Sequence, residues 1–351
     1  MLILNADDVR RCLPMSECIA AMKQAFEALA AGQAVVPLRA QLPVAPHSGT
    51  TLVMPAFVDG GDGPDALTVK VVSVFDNNPS RDVARIQAAV LVLEPETARP
   101  LAVLEGATLT GIRTAAVSGA ATDLMARPGS RVLGVLGAGV QARTHIEAEC
   151  CVRSIDAGRV FARTPASVEA LVAELSGRDG LPEDIRAVAS ASEAVSGADI
   201  VCCTTTSRTP VFDDADIGPG THINAVGSYQ PEVVEVPAAT VARSRVVVDD
   251  YESAWEEAGD LIQPLTDGEI DRDHVVADMG QLVGGSRDGR TGDQEITLFK
   301  SVGLAVEDAM AARVTLANAA SLGAGQTVSW GFRCGDWPRA FPVEWTTNSG
   351  R

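Results

Sequence analysis

Residues 16–31, SECIAAMKQAFEALAA, carry apolar positions at helical spacing, with Ser16 as a candidate N-cap and Gly32 as a stop. Short apolar runs broken by Pro and Gly follow: TLVMPAF, ALTVKVVSVF and AAVLVLEPETARPLAVLEG. The last holds two strand-like segments joined by EPETARP, a hairpin by its composition. The first ~105 residues are therefore expected to form one helix and then an antiparallel sheet. TGIRTAAVSGAATDLMA is helix-like and leads into the middle of the chain.

From Ser130 the pattern changes to alternating strand and helix signals. RVLGVLG (131–137), GRVFAR (158–163), IRAVAS (185–190), ADIVCCTT (198–205), THINAVG (221–227) and SRVVVDD (244–250) read as strands, with helical patterns between several of them. This order predicts an α/β protein with a Rossmann-type doubly wound parallel sheet, preceded by a smaller α+β region. Beyond residue 295, ITLFKSVGLAVEDAMAARVTLANAA is helix-like. The tail from Gly323 to Arg351 holds three of the four tryptophans, has little periodicity, and is read as an irregular extension.

The length of 351 residues suits about two domains. Hydrophobic residues make up 46%, as expected of a globular chain. Against 46 Asp and Glu there are 28 Lys and Arg, a formal charge of −18 that disfavours nucleic acid and anionic membranes as partners. The seven cysteines, Cys12, Cys18, Cys150, Cys151, Cys202, Cys203 and Cys334, form no CxxC pair. They read as reduced thiols of a cytoplasmic protein, and with four scattered histidines no metal site is expected. The N-terminus reaches acids by position 7, unlike a signal peptide, and no apolar stretch has the length of a membrane span.

Gly137-Ala138-Gly139-Val140-Gln141-Ala142 matches GxGxxA between an apolar strand and a helix. Gly137 allows the tight turn, Gly139 lets the backbone approach a pyrophosphate, and Ala142 packs helix on strand. The helix N-terminus then supplies amides and positive potential to the phosphates. At the end of the next strand an NAD site usually offers a carboxylate to the ribose, whereas a 2′-phosphate calls for arginine. Here the strand ends in Arg163-Thr164, and Asp156 precedes it and so falls at the wrong edge. NADP(H) is the expected cofactor, with NAD(H) as the alternative.

Three basic residues sit at the ends of elements in the first region: Arg39 in VVPLRA, Lys70 in LTVKVVSV and Arg113 in TGIRTAAVSG. Lys70 lies within an apolar strand, where a charge is costly unless paired or used. Arg113 suits bidentate capture of a carboxylate. A buried lysine tends to a lowered pKa, which makes it a proton donor or acceptor near neutrality. Tyr229, one of two tyrosines, stands just past Gly227, where the apolar run Ile223–Val226 opens into a loop.

Taken together, VPLR, LVMPAF, LTVKVVSVF, GIRTAAVSGAAT, GVLGAGVQARTH, ADIVCCTTTSRTPV, GTHINAVGS, ESAWEEAGDL and EITLFKSVGLAVEDAMAA resemble the ornithine cyclodeaminase/mu-crystallin family, in family order over roughly residues 1–320. The resemblance implies a homodimer. It implies a substrate and dimerisation domain at 1–119, completed by 300–351, and an NAD(P)-binding domain at 120–299. Arg39, Met54, Lys70 and Arg113 would face a bound imino or amino acid, with Arg113 on its carboxylate. The cofactor would touch Thr114, Gly137, Ala138, Gly139, Val140, Gln141, Arg163, Thr164, Thr204, Thr205, Thr206, Val226 and Gly227, with Ser301 and Gly303 near its nicotinamide end.

Family cyclodeaminases and archaeal alanine dehydrogenases carry an acid where this chain has Tyr229. A phenol, with a reference pKa of ~10, is no ready base at neutral pH. The resemblance is therefore to the ketimine-reducing branch. The expected reaction is NAD(P)H-dependent reduction of Δ1-pyrroline-2-carboxylate or Δ1-piperideine-2-carboxylate to L-proline or L-pipecolate. Lys70, Arg113 and Tyr229 are its candidate catalytic residues. Ornithine cyclodeaminase, an alanine- or opine-type dehydrogenase, and a non-catalytic NADPH-dependent ligand binder are the alternatives.

Overall fold

The structure, a computed structural model, describes residues 1–331. The chain begins with β1 (Leu2–Leu4), α1 (Ala6–Cys12), α2 (Met15–Ala30), β2 (Ala34–Val35), β3 (Ala40–Val44), β4 (Gly49–Val58), β5 (Ala66–Phe75), β6 (Ile86–Leu93), β7 (Pro100–Glu105) and α3 (Gly106–Met125). Then follow β8 (Val132–Leu136), α4 (Val140–Val152), β9 (Ala157–Phe161), α5 (Pro165–Leu175), β10 (Asp184–Ala187), α6 (Ala191–Val195), β11 (Ile200–Cys203) and β12 (His222–Ala225). The remainder is α7 (Ala238–Ala242), β13 (Arg245–Val248), α8 (Tyr251–Glu257), α9 (Gly259–Thr266), β14 (Val275–Asp278), α10 (Met279–Val283), β15 (Thr297–Lys300), α11 (Ala305–Leu322) and β16 (Gln326–Thr327).

Two sheets result. The first runs β16-β1-β7-β6-β5-β4-β2, with β3 also paired to β4. The second runs β10-β9-β8-β11-β12-β15-β13-β14, every pair parallel. The doubly wound α/β expectation holds. Along β5 the period of two buries Thr68, Lys70 and Val72 while Leu67, Val69 and Val71 face the other way. The buried face packs on α11 and α3. Helix α3 is rich in small residues, which lets its neighbours come close: a Cβ on Gly119 would lie 3.0 Å from Ile19 and 3.3 Å from Ala148. No helix of the described residues is long and apolar enough to cross a membrane.

Four sequence expectations change. Helix α2 begins at Met15, so Ser16 is inside its first turn and Pro14 occupies the cap, its φ of −58° already set for the entry. A second helix, α1, precedes it, closed by a reciprocal cap between Asn5 and Asp8. The first sheet is not wholly antiparallel, because β1 pairs parallel with β7 and also takes β16 from the tail. The helix-like run after residue 295 starts as a strand, since Thr297–Lys300 inserts between β12 and β13. Trp330 is exposed; Trp337, Trp345 and Cys334 lie outside the described residues. The six cysteines within them are free.

Candidate active site

The glycine loop leaves β8 and enters α4 as the sequence predicts. Gly137 takes φ +119°, and a Cβ there would meet the Thr204 hydroxyl at 2.5 Å, so only glycine fits. A Cβ on Gly139 would meet nothing within 4 Å, which leaves room above its backbone. Gly139 caps α4 without a side chain, so the amides of the first turn have no capping acceptor. This is a cradle that fits a diphosphate. Beside it, Thr204 Oγ1 donates to the Leu136 carbonyl at 2.9 Å, fixing the loop after β11 against β8. Thr206 is exposed and Thr114 half-buried. Arg163 and Thr164 follow β9 and are both exposed; Asp156 precedes β9 and pairs with Arg131 at 3.5 Å.

Buried carboxylates pin the loops at this edge of the sheet. Asp249, just past β13, accepts from Ser301 Oγ at 3.0 Å and from the Val302 and Gly303 amides at 2.7 Å each. Glu235 accepts from the Thr205 and Gly227 amides, 2.6 Å each. Asp260 accepts from the Glu235 and Val236 amides and pairs with Lys300 at 3.1 Å. Burial, and then the neighbouring Asp260, pushes the Glu235 carboxyl up to about 7. Gly227 is a glycine for this reason: a Cβ would lie 2.1 Å from the Thr205 carbonyl oxygen and 2.4 Å from Glu235.

Lys70 of β5 and Arg113 of α3 converge on the start of α11. Lys70 is only 1% exposed, so its ammonium needs a partner, and Asp308 Oδ2 supplies one at 2.6 Å. The other oxygen of Asp308 accepts from Arg113 Nε at 3.0 Å. Arg113 Nη1 donates to Glu307 at 2.6 Å, and Glu307 also accepts from the Leu304 amide at 2.7 Å. Both acids lie in the first turn of α11, where the helix dipole favours negative charge. Arg113 Nη2 has no hydrogen-bond partner among the described residues. Burial lowers the Lys70 pKa to about 8, with Arg113 adding to the fall and Asp308 opposing it. Burial alone would lower the Arg113 pKa, but Glu307 and Asp308 outweigh it and raise the guanidinium above its ordinary value.

Gly303 joins this cluster to Arg39. Its φ is +81°, and a Cβ would lie 2.7 Å from Arg113 Nη1. Its carbonyl accepts from Arg39 Nη2 at 3.2 Å, as does that of Val302 at 3.3 Å. Arg39 is also ion-paired to Glu257. A pocket of about 30 Å³ lies here, lined by Leu38, Arg39, Met54, Glu257, Gly303 and Leu304 among others. Met54 is the cross-strand partner of Lys70, so the strand register alone brings these two together.

The structure thus gathers Arg39, Met54, Lys70, Arg113, Ser301 and Gly303, and separately aligns Gly137, Ala138, Gly139, Val140, Gln141, Thr204, Thr205, Val226 and Gly227 along the carboxyl edge of the second sheet. Tyr229 is apart from the pocket lining. It is half-buried in the loop after β12, packs on the apolar cluster of the second sheet, and its hydroxyl has no partner among the described residues. Sequence reasoning missed Asp249, Glu257, Asp260, Glu307 and Asp308, and gave Glu235 only a structural role.

The family model described as ornithine cyclodeaminase/mu-crystallin matches residues 1–322. The chain is 38% identical over 331 residues to a Δ1-pyrroline-2-carboxylate reductase of Bacillus cereus, covering 94% of this chain and all of that one. It is 36% identical over 283 residues to the ketimine reductase mu-crystallin of Mus musculus, covering 81% and 85% of the two chains. Among solved structures it is similar to the Thermococcus litoralis Δ1-pyrroline-2-carboxylate reductase in complex with NADH and L-proline. That likeness has a TM-score of 0.89 at 40% identity and covers 93% of this chain and 100% of that one.

Proposed function

The chain belongs to the ornithine cyclodeaminase/mu-crystallin family, and on that premise we propose that it is an oxidoreductase of cyclic imino acids. It reduces Δ1-pyrroline-2-carboxylate or Δ1-piperideine-2-carboxylate to L-proline or L-pipecolate with a nicotinamide dinucleotide. The observation that carries the chemistry is the single carboxylate of Asp308, which holds a buried lysine on one oxygen and a buried arginine on the other. The relatives named above act on such imines, and one of them binds NADH and L-proline.

A bound dihydronicotinamide would supply the hydride that adds to the C=N carbon. The chain's own residues do the rest. Arg113 offers Nη2 to the substrate carboxylate while Glu307 and Asp308 hold its plane. Arg39, braced by Glu257 and two carbonyls, closes the other side of the pocket. Lys70, with its pKa near 8, gives its proton to the imine nitrogen, which becomes the amine as the carbon gains hydride. Met54 and Leu38 give the ring an apolar wall. No step requires a base at Tyr229, which packs on the apolar cluster of the second sheet and carries no proton in this scheme. Residues 1–119 with 300–331 would form the substrate half and 120–299 the cofactor half; 332–351, the rest of the segment expected to complete the substrate half, lies outside the described residues.

Arg163 and Thr164, exposed past β9 with no acid beside them in the sequence, support a preference for NADPH over NADH. A homodimer is also part of this reading. One related structure is described as an archaeal alanine dehydrogenase dimer, and Ile3, Val53 and Val71 stand exposed on strands of the first sheet.

The test is a direct assay of both imines with NADPH and NADH, following loss of the reduced cofactor. Ornithine with NAD, and pyruvate with ammonia and NADH, run in parallel. Turnover of a cyclic imine well above the parallel reactions is expected. Proline and ammonia from ornithine would overturn the reading, as would a preference for pyruvate.

A further inference from the structure

We propose that Glu235 is a positioning residue for the dinucleotide, its buried carboxylate tying two cofactor loops into one floor under the nicotinamide-ribose half. The inference rests on the dinucleotide-dependent reading above. β11 and β12 stay paired as far as the Val226 amide, which donates to the Cys203 carbonyl at 3.1 Å. Past that point the strands open into the Thr204–Thr206 loop and the Gly227 turn. Each loop then presents a backbone amide, Thr205 and Gly227, and each amide donates to a different oxygen of Glu235 at 2.6 Å. One fully buried carboxylate thus replaces the ladder that the splayed strands have lost.

The clamp is itself braced. The Glu235 amide donates to Asp260 at 2.7 Å, and its carbonyl accepts from the Val211 amide at 2.9 Å. Asp260 pairs with Lys300 at 3.1 Å, and Lys300 donates to the Ala225 carbonyl at the end of β12 at 3.1 Å. The same network therefore reaches the ends of β12 and β15 as well as the loop after β11. Gly227 is what permits this close approach, since a Cβ there would collide with Glu235. An amide in place of the carboxylate can accept from only one of the two N–H groups, and its NH2 opposes the other. The loops must then part, and the floor they form is lost.

The experiment compares wild type, Glu235→Gln and Glu235→Asp for the Kd of NADH and NADPH, the Kd of AMP, the melting temperature, and the KM for Δ1-pyrroline-2-carboxylate at saturating cofactor. AMP probes the adenine half, which the clamp does not touch. In Glu235→Gln the Kd of both dinucleotides is expected to rise at least tenfold, with AMP affinity within about twofold and imine KM within about threefold. Glu235→Asp, which keeps the charge but shortens the reach, is expected to fall between, and it carries the comparison if the glutamine variant does not fold. Dinucleotide affinity within twofold of wild type in a folded variant overturns the proposal. So does an equal loss of AMP affinity, which marks general damage to the fold. Wild type that binds neither dinucleotide overturns the functional reading itself.

Discussion

Replacing Asp308 by asparagine keeps its shape and removes the charge shared by Lys70 at 2.6 Å and Arg113 at 3.0 Å. Breaking a buried ion pair by removing one partner costs about 3–5 kcal/mol when the other charge stays buried. Lys70 can escape much of that penalty by losing its proton. One pKa unit corresponds to about 1.4 kcal/mol, so about 3 kcal/mol lowers the Lys70 pKa by roughly two units. Starting from about 8, it would fall to roughly 6. The sign follows from the donor role: lysine is useful when protonated, so activity is lost as pH rises through its pKa. Wild-type kcat/KM for imine reduction should therefore decline above about 8. In Asp308→Asn the decline should move to near pH 6, with a deficit from this cause of roughly 50-fold at pH 8 that shrinks to roughly twofold at pH 6. The assay is a pH profile of kcat/KM at saturating cofactor, with melting curves to confirm that the variant is folded. A deficit uniform across pH, or a decline still at pH 8 in the variant, would refute the assignment of Lys70 as proton donor.

Three further substitutions bear on other parts of the account. Arg163→Ala should raise the KM for NADPH tenfold or more and leave that for NADH within about twofold, because only NADPH carries a phosphate to lose its partner; equal effects on both would remove Arg163 from the 2′-phosphate. Val71→Glu, at an exposed strand position of the first sheet, should shift the protein from dimer to monomer in light scattering, and a wild-type monomer would remove the dimer from the reading. Tyr229→Phe should leave kcat/KM within about threefold at every pH, since the hydroxyl has no partner among the described residues; loss of a pH-dependent limb would instead make it a proton carrier.

What the sequence revealed depended on contrast with its surroundings. The glycine loop was legible because a strand and a helix flank it, and Lys70 because a charge in an apolar strand stands out. The strand register places Met54 opposite Lys70. Asp308, Glu307, Asp249 and Glu235 were not legible as parts of a site, because in a chain with 46 acids an acid at a strand or helix end reads as surface. The roles of Glu307 and Asp308 come from their pairs with Arg113, 194 and 195 residues away. β15 was absorbed into a helix because a short apolar run carries no period that separates the two. Tyr229 was informative for the acid it replaces, and the structure adds that its hydroxyl is unengaged among the described residues. Pro14, not Ser16, is the N-cap of α2, because a proline with its φ fixed near −58° can enter a helix without a side-chain cap.

The central claim is hydride delivery to the imine carbon of a cyclic 2-carboxylate. It is tested most directly by incubating the protein with Δ1-pyrroline-2-carboxylate and NADH or NADPH fully deuterated at C4 of the nicotinamide, then analysing the product by mass spectrometry and NMR. The account predicts L-proline one mass unit heavier, with the deuterium at Cα. Unlabelled proline, label elsewhere in the ring, or no proline while both ligands bind would contradict it.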